Sequence, residues 1–155
     1  MLKLSKLTDY AVVVLVRLSH GEPCQTAPGI ALVTGVPEPT VAKVLKALAA
    51  VHLVISQRGA RGGYRLARSL SDISVAEVVT VIDGPIALTA CVEGSGAWCE
   101  VEHHCPVRGR WDPVNAAVRA ALSAISLADL DRSVPRAFPP NMPASVMSHP
   151  IHLAE

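Results

Sequence analysis

The sequence predicts a mainly α-helical fold that contains one small β-hairpin. Apolar residues recur at helical spacing in three segments, near residues 4–18, 41–48 and 75–82. Between the second and third segments, two short strand-like stretches flank a run rich in glycine. Hydrophobic residues make up 50% of the chain but aromatic residues only 3%, so Val, Leu, Ile and Ala must form the core. A chain of 155 residues suits one domain with an added oligomerisation element.

Three helices are predicted in the N-terminal part of the chain. The first spans about residues 5–19. Thr26 caps a short second helix that Gly35 ends, and a third helix begins near Pro39. The third helix carries an apolar stripe at i, i+3, i+4 and i+7, formed by Val41, Val44, Leu45 and Leu48. Two short helices joined by a tight, glycine-containing turn indicate a helix-turn-helix, although a plain helical bundle shows the same pattern.

The segment LVISQRGARGGYRL follows the third helix and predicts a hairpin. Strands at Leu53–Ser56 and Tyr64–Leu66 flank a tip that contains three glycines, Arg58 and Arg61. Glycines let a backbone approach a phosphate or a minor groove closely, and the arginines supply positive charge there. A basic hairpin directly after a helix-turn-helix indicates the wing of a winged helix. The sequence therefore predicts a winged helix-turn-helix DNA-binding domain over residues 1–84.

The polar face of the third helix supports DNA binding. Thr40, Lys43 and Lys46 lie opposite its apolar stripe. Because the N-terminal residues of a recognition helix meet base edges, Thr40 and Lys43 are predicted to read bases and Lys46 to contact a phosphate. Lysines on a helix surface are also often simply solvated. The formal net charge of +1 excludes a globally basic protein, so any DNA contact must come from such a local patch.

The C-terminal part predicts a fourth helix, a loop and a long helix. Ser74 and Glu77 form a capping box for the fourth helix. Residues 85–108 form a cysteine-rich loop, and residues 109–131 a dimerisation helix rich in alanine. One apolar stripe of that helix is predicted to pair with a second copy of the chain: Trp111, Val114, Val118, Ala121, Leu122 and Ile125. The proline-rich residues 132–155 predict a disordered tail.

Three of the four cysteines, Cys91, Cys99 and Cys105, fall in the loop with the spacing C-x7-C-x5-C. An odd number at close spacing fits a metal centre better than a disulfide. Soft thiolates select an iron–sulfur cluster, zinc or Cu(I), and three of them leave one position to fill. A structural zinc with a histidine is the chemical alternative. Cys24 is predicted to be a buried small residue rather than a ligand.

Other classes of protein are disfavoured. The longest apolar run, AVVVLV, is too short to span a bilayer, so no membrane partner is expected. The N-terminus shows no signal-peptide pattern, which predicts a cytoplasmic protein whose thiols stay reduced. A thiol redox enzyme is disfavoured because there is no C-x-x-C pair beside a βαβ pattern. We therefore predict that the protein is not an enzyme.

The stretches LSKLTDYAVVVLVRL, PEPTVAKVLKALAAVHLV and QRGARGGYRLAR resemble the Rrf2 family of bacterial winged-helix transcription regulators. GARGGYRLAR is the most specific of these motifs, and the resemblance covers about residues 1–130. Within the family the chain looks most like the regulators of the SUF iron–sulfur assembly operon. The resemblance implies a homodimer that binds a palindromic operator in double-stranded DNA, usually as a repressor, and senses iron–sulfur status, iron or nitric oxide.

The resemblance also implies that Cys91, Cys99 and Cys105 hold an iron–sulfur cluster, either [2Fe–2S] or [4Fe–4S]. In some relatives a histidine three residues past the last cysteine completes the ligand set, but here Arg108 occupies that position. The fourth ligand is therefore left open among Asp9, His103 and His104. Asp9 would have to reach across the dimer. The alternative is a zinc-stabilised DNA-binding or interaction module without redox sensing.

Overall fold

The computed structural model describes residues 3–59, 62–101 and 104–131. Over these ranges it confirms the predicted fold class of helices with one antiparallel hairpin. The elements are α1 (Lys6–Ser19), α2 (Ala27–Thr34), α3 (Glu38–Ala50), β1 (Val54–Gln57), β2 (Gly63–Leu66), a short 3-10 helix (Leu70–Asp72), α4 (Val75–Asp83), α5 (Asp112–Ser123) and α6 (Leu127–Leu130). The predicted tail, Arg61 and His103 lie outside the described residues.

Side-chain caps fix where the N-terminal helices begin. The hydroxyls of Ser5, Thr26 and Ser74 accept hydrogen bonds from backbone N–H groups in the first turns of α1, α2 and α4. The predicted capping box at Ser74 is only half formed. The Glu77 backbone donates to Ser74, but the Glu77 side chain turns away to pair with Arg68. A charged partner therefore replaces the return hydrogen bond that the sequence pattern predicts.

The core lies where α1, α3 and α4 pack together, with α2 and the hairpin at its edge. The predicted stripe of α3 is fully buried there, and Leu15 of α1 and Val78 of α4 meet it with no exposed surface. Burying a side chain of this size stabilises the fold by about 1.5–3 kcal/mol. Aliphatic packing is therefore the main contact that holds α3 against α1 and α4.

A polar contact joins the start of α1 to the end of α4. Oδ2 of Asp83 accepts hydrogen bonds from the Ser5 backbone N–H at 3.2 Å and from the Thr8 hydroxyl at 2.8 Å. Partial burial acts to raise the pKa of Asp83, but the hydrogen bonds from Ser5 and Thr8 outweigh it and hold this pKa below its usual value. The ionised carboxylate is thus the form that the fold stabilises.

The structure corrects the prediction of one continuous helix over residues 109–131. Helix α5 ends at Ser123, and the chain is extended before α6 begins. The reason is a short antiparallel bridge to the strand-like segment before α4. The Val75 N–H donates to the Ile125 carbonyl, and the Leu127 N–H donates to the Ile73 carbonyl, both at 2.9 Å. Val75 and Leu127 can donate because they begin their helices, where the backbone N–H groups have no partner within the helix, whereas residues in the interior of one continuous helix could not make this pairing.

Within the described ranges, no helix combines the length and the apolar character needed to cross a membrane.

Candidate nucleic-acid interface and cysteine loop

Helices α2 and α3 form the predicted helix-turn-helix. Gly35 ends α2 with φ of 72°, a left-handed conformation that glycine adopts without strain. The next residue, Val36, is only 4% exposed and fixes the turn to the core. Helix α3 then runs with its apolar stripe inward, so its opposite face points to solvent. The recognition-helix candidates therefore lie on a rigid element.

The structure leaves the polar face of α3 open. Lys43 and Lys46 are exposed and Thr40 is half-buried near the start of the helix. In the part of the chain that the structure describes, neither lysine forms an ion pair. The two positive charges are therefore available to an anionic partner such as a phosphate backbone.

The hairpin has the geometry of a wing. Strands β1 and β2 pair in antiparallel register from Val54 opposite Leu66 to Gln57 opposite Gly63. Arg58 is exposed directly after β1. A Cβ at Gly62 would lie 2.7 Å from the Gln57 carbonyl oxygen, so the turn requires glycine there.

Gln25 joins the wing to the helix-turn-helix, a role that the sequence analysis missed. Its backbone pairs with Tyr64 in both directions, with N···O distances of 2.9 and 2.7 Å. Its buried side-chain amide donates to the carbonyls of Arg17 at 3.2 Å and His20 at 2.8 Å, at the end of α1. At Gly63 a Cβ would lie 2.7 Å from the Gln25 carbonyl oxygen, so glycine permits this close approach. The wing is therefore held in a fixed position beside α1.

The three loop cysteines are free thiols, and each is half-buried. The Sγ of Cys91 lies 3.3 Å from the Thr89 hydroxyl oxygen. Among the described residues, which exclude His103, no three His, Cys, Asp or Glu side chains are close enough to hold a metal ion. The donor chemistry suits a thiolate-bound cluster, but the described donors of one chain are not gathered into a single site. The ligand assignment therefore remains a prediction.

The other predicted ligand candidates lie in different places. Asp9 is exposed in the first turn of α1, and His104 is exposed in the loop. The Arg108 N–H donates to the Cys105 carbonyl at 3.3 Å, in a local turn. Cys24 is only half-buried rather than fully buried, and its Sγ lies 3.1 Å from the Cβ position at Gly63. It belongs to the base of the wing.

Asn115 of α5 is a second residue that the sequence analysis missed. It is 2% exposed, its Oδ1 accepts from the Leu88 N–H at 3.0 Å, and its Nδ2 donates to the Ile86 carbonyl at 2.9 Å. Its position signals this role, since Asn115 lies on the helix face of Val118 and Leu122 at i, i+3 and i+7. A polar residue on an apolar face requires a buried partner.

A contact between His20 and Asp131 was also missed. The two side chains are 2.7 Å apart, from Nε2 to Oδ2, and Asp131 is 7% exposed. No local pattern in the sequence signals a pair so distant along the chain. This contact brings the end of α6 to the end of α1.

A helix-turn-helix, a tethered basic hairpin and an additional C-terminal helix define a winged-helix DNA-binding protein. The family model of Rrf2, described as an iron-dependent transcriptional regulator, matches residues 4–132. The chain therefore belongs to the Rrf2 family of DNA-binding transcriptional regulators. This family consists of regulators and not of enzymes, and the resemblance predicted from the three motifs is confirmed.

Individual relatives show how far the similarity extends. The chain is 36% identical to protein aau3 of Rhizobium meliloti (strain 1021) over 124 residues, which cover 79% of this chain and 76% of that protein. Its structure resembles CymR, the global cysteine regulator of B. subtilis, with a TM-score of 0.66, 28% identity and coverage of 87% of this chain and 100% of that chain. It also resembles T. potens IscR, with a TM-score of 0.63, 29% identity and coverage of 96% and 97%. The two TM-scores are similar, so they support a shared fold and do not show whether this chain resembles CymR or IscR more in function.

Proposed function

We propose that this protein is a transcriptional repressor of iron–sulfur cluster assembly genes that senses iron–sulfur status through its own cluster. The observation that carries the proposal is the position of Cys91, Cys99 and Cys105. All three are free thiols in the segment that joins the winged helix to α5. A ligand bound there would connect the DNA-binding domain to the predicted dimerisation helix.

The donor set supports an iron–sulfur cluster. Thiolates bind iron–sulfur clusters and zinc in preference to hard cations. The cysteines would hold the cluster with a fourth ligand from Asp9, His103 or His104, and its nuclearity would be [2Fe–2S] or [4Fe–4S]. When bound, the cluster would supply a centre that oxygen, nitric oxide or iron starvation can remove. The family description as iron-dependent agrees with this proposal.

The DNA contacts follow from the exposed faces of α3 and the wing. Thr40 and Lys43 would read base edges, and Lys46 would contact a phosphate. Arg58 and Arg61 at the wing would contact phosphates or enter a minor groove. Support comes from the exposure of Lys43, Lys46 and Arg58 in the structure.

A homodimer would place two such domains on a two-fold operator. The exposed α5 face consists of Val114, Ala117 and Ala121, and it continues to Ala124 directly after the helix. These four residues recur at i, i+3, i+7 and i+10. We propose that this face pairs with the same face of a second copy. It replaces part of the predicted stripe, because Leu122 and Ile125 pack against the core of their own domain. Small residues there would let two helices approach closely.

The test is anaerobic purification followed by iron, sulfide and zinc analysis. We expect a coloured protein with iron and sulfide, and different operator affinities for the holo- and apo-protein at one salt concentration. Alanine at Cys91, Cys99 or Cys105 should abolish the cluster and leave regulation in one state. Cys24→Ala is the matched control, because this thiol lies at the base of the wing, and it should keep the cluster.

Other outcomes would contradict the proposal. A colourless protein with one zinc per chain would support the zinc-stabilised module instead. Equal operator affinity for the holo-protein, the apo-protein and all three loop variants would show that the cysteine loop is not the sensor. Regulation that depends on neither metal would favour a role closer to that of the cysteine regulator CymR.

A further inference from the structure

The cysteine loop is attached to α5 at two points, on either side of Cys91. Asn115 forms the first attachment, because its side-chain amide accepts from the Leu88 N–H and donates to the Ile86 carbonyl. Oδ1 of Asp112 forms the second, by accepting a hydrogen bond from the Glu93 N–H at 3.1 Å. Val92, between Cys91 and this second point, is 5% exposed. Residues 86–93 are therefore fastened along the start of α5.

The rest of the loop is held differently. Between Gly94 and Gly109, both of which have positive φ, the backbone hydrogen bonds among the described residues join positions only three apart. The His104 N–H donates to the Val101 carbonyl at 3.1 Å, for example. Trp98, next to Cys99, is 76% exposed. Among the described residues, the hydrogen bonds from a side chain of α5 thus reach the loop at Leu88 and Glu93, on either side of Cys91, and not beside Cys99 or Cys105.

A cavity that is open to solvent lies beside the two attachment points. It has a volume of about 370 Å³ and is lined by Val92, Glu93, Gly94, Asp112, Asn115, Ala116 and Arg119. The cavity leaves space beside the fixed stem of the loop. The loop therefore has one cysteine, Cys91, in its attached part and two, Cys99 and Cys105, in its less attached part. Free space lies beside Glu93 and Gly94, where the two parts meet.

We infer that Asp112 and Asn115 are positioning residues that make Cys91 the fixed ligand and connect the state of the loop to α5. This inference rests on the proposed function, because it assumes that the three cysteines share one cluster. Binding would bring Cys99 and Cys105 towards Cys91, and the resulting force would act on α5 through the Asp112 and Asn115 hydrogen bonds. Without these bonds the cluster could still form, but its presence would no longer affect operator binding.

The attachment itself is tested in the apo-protein by amide hydrogen exchange. In the wild type, the amides of Leu88 and Glu93 should exchange more slowly than that of Ala97. Asp112→Ala should accelerate exchange at Glu93, and Asn115→Ala at Leu88. Asp112→Asn is the matched control for Asp112→Ala, because the side-chain amide oxygen can still accept from Glu93 while the charge is lost. Equal and fast exchange at Leu88, Glu93 and Ala97 in the wild type would overturn the inference whatever metal the protein binds.

The coupling is tested in the anaerobic holo-protein. Asp112→Ala should retain the iron and sulfide content and the apo-protein affinity of the wild type. Its ratio of holo- to apo-protein operator affinity should fall several-fold towards one, from a wild-type ratio within the roughly 5–150-fold range of such couplings. Asp112→Asn should keep the wild-type ratio. A merely structural role for Asp112 would change the melting temperature without changing this ratio.

The outcomes separate this inference from the proposed function. Slow exchange at Leu88 and Glu93 in a protein that binds no iron or sulfide would overturn the proposed function and the coupling, and leave the attachment established. A normal cluster with an unchanged affinity ratio in Asp112→Ala and Asn115→Ala would overturn the coupling alone.

Discussion

The winged-helix part and the C-terminal part of this chain differ in how their apolar side chains are used. From α1 to α4, aliphatic residues such as Leu15, Leu45 and Val78 are fully buried against one another. In the described residues after α4, the buried side chains are limited to Val92, Asn115, Leu127 and Asp131. Two of these four are polar. The first part therefore contains a closed aliphatic core, although Leu32 and Val33 of α2 are exposed at its surface. The second part has few buried apolar side chains and exposes Trp98, Val101 and Val114.

The difference indicates which surfaces of the molecule are available for association. Exposed large apolar side chains that cluster in one region are typical of surfaces that associate. On a helix and a loop that carry the proposed dimer and cluster sites, such side chains are the surface that a second copy and a cofactor would cover. The winged helix needs neither to pack its own core.

The largest expected effect concerns the exposed α5 face. Ala121→Lys should prevent dimerisation, because an unpaired charge buried in an interface costs about 3–5 kcal/mol. Since Ala121 is exposed in the single chain, the monomer should stay folded. Sedimentation and operator binding should both report the loss. Ser123→Lys, two positions along and so nearly on the opposite face, is the control, and a dimeric Ala121→Lys protein would disprove this interface.

The next effect tests the closed core. Leu45→Ala should lower the free energy of unfolding by about 2–5 kcal/mol, because a fully buried leucine leaves a cavity. Leu130→Ala deletes the same atoms from a side chain that is 43% exposed in α6, and should cost clearly less. Denaturant unfolding measures both. Equal losses of unfolding free energy in the two variants would contradict the contrast in packing between the winged-helix part and the C-terminal part.

A smaller effect separates base contacts from phosphate contacts. Thr40→Ala or Lys43→Ala should cost about 1–3 kcal/mol at the preferred operator and relax the preference for particular bases. Arg58→Ala should weaken binding to all sequences and reduce the salt slope by roughly one unit. Titrations of operator and unrelated DNA at several salt concentrations distinguish these patterns. Arg110→Ala removes an exposed charge between the loop and α5 and should change neither affinity nor salt slope. Unchanged binding in the Thr40, Lys43 and Arg58 variants would contradict the interface.

The smallest effect is a dependence of stability on pH through Asp83. Because its pKa is lowered in the folded state, its hydrogen bonds stabilise the fold above the usual carboxyl pKa, and this contribution is lost as pH falls through the folded value. Between about pH 6 and about pH 3, unfolding free energy should fall less steeply for Asp83→Asn than for the wild type. Parallel curves would show that the link between α1 and α4 does not depend on this charge.

The sequence predicts the local elements well because their signals are local. The caps at Thr26 and Ser74 and the stripe of α3 each lie within a few residues of the structure that they determine. Contacts between distant segments could not be predicted in this way. Nothing near Gln25 indicates that it would pair with Tyr64, and nothing near Ile125 indicates that its carbonyl would end α5 by accepting from Val75.

The candidate DNA-binding residues could be predicted from local signals in the sequence, whereas the arrangement of the cysteines could not. The polar face of α3 follows from helical periodicity, so Lys43 and Lys46 could be placed on an open surface from sequence alone. The gathering of three cysteines depends on loop geometry and on ligands that another copy could supply, such as Asp9. Periodicity carries no information about either, so that assignment remains a prediction.

The bridge between residues 73–75 and 125–127 should also hold the two fragments together if a protease cuts the loop between them. Trp98 is a highly exposed site for a protease that cuts after aromatic residues. A cut there would separate the chain into two pieces, yet Leu127 is fully buried in the core of the N-terminal piece and the bridge hydrogen bonds remain. The nicked protein should therefore migrate as one particle under native conditions and as two fragments in denaturant. Cluster binding, by covering the loop, would turn the rate of this cut into a measure of cofactor occupancy.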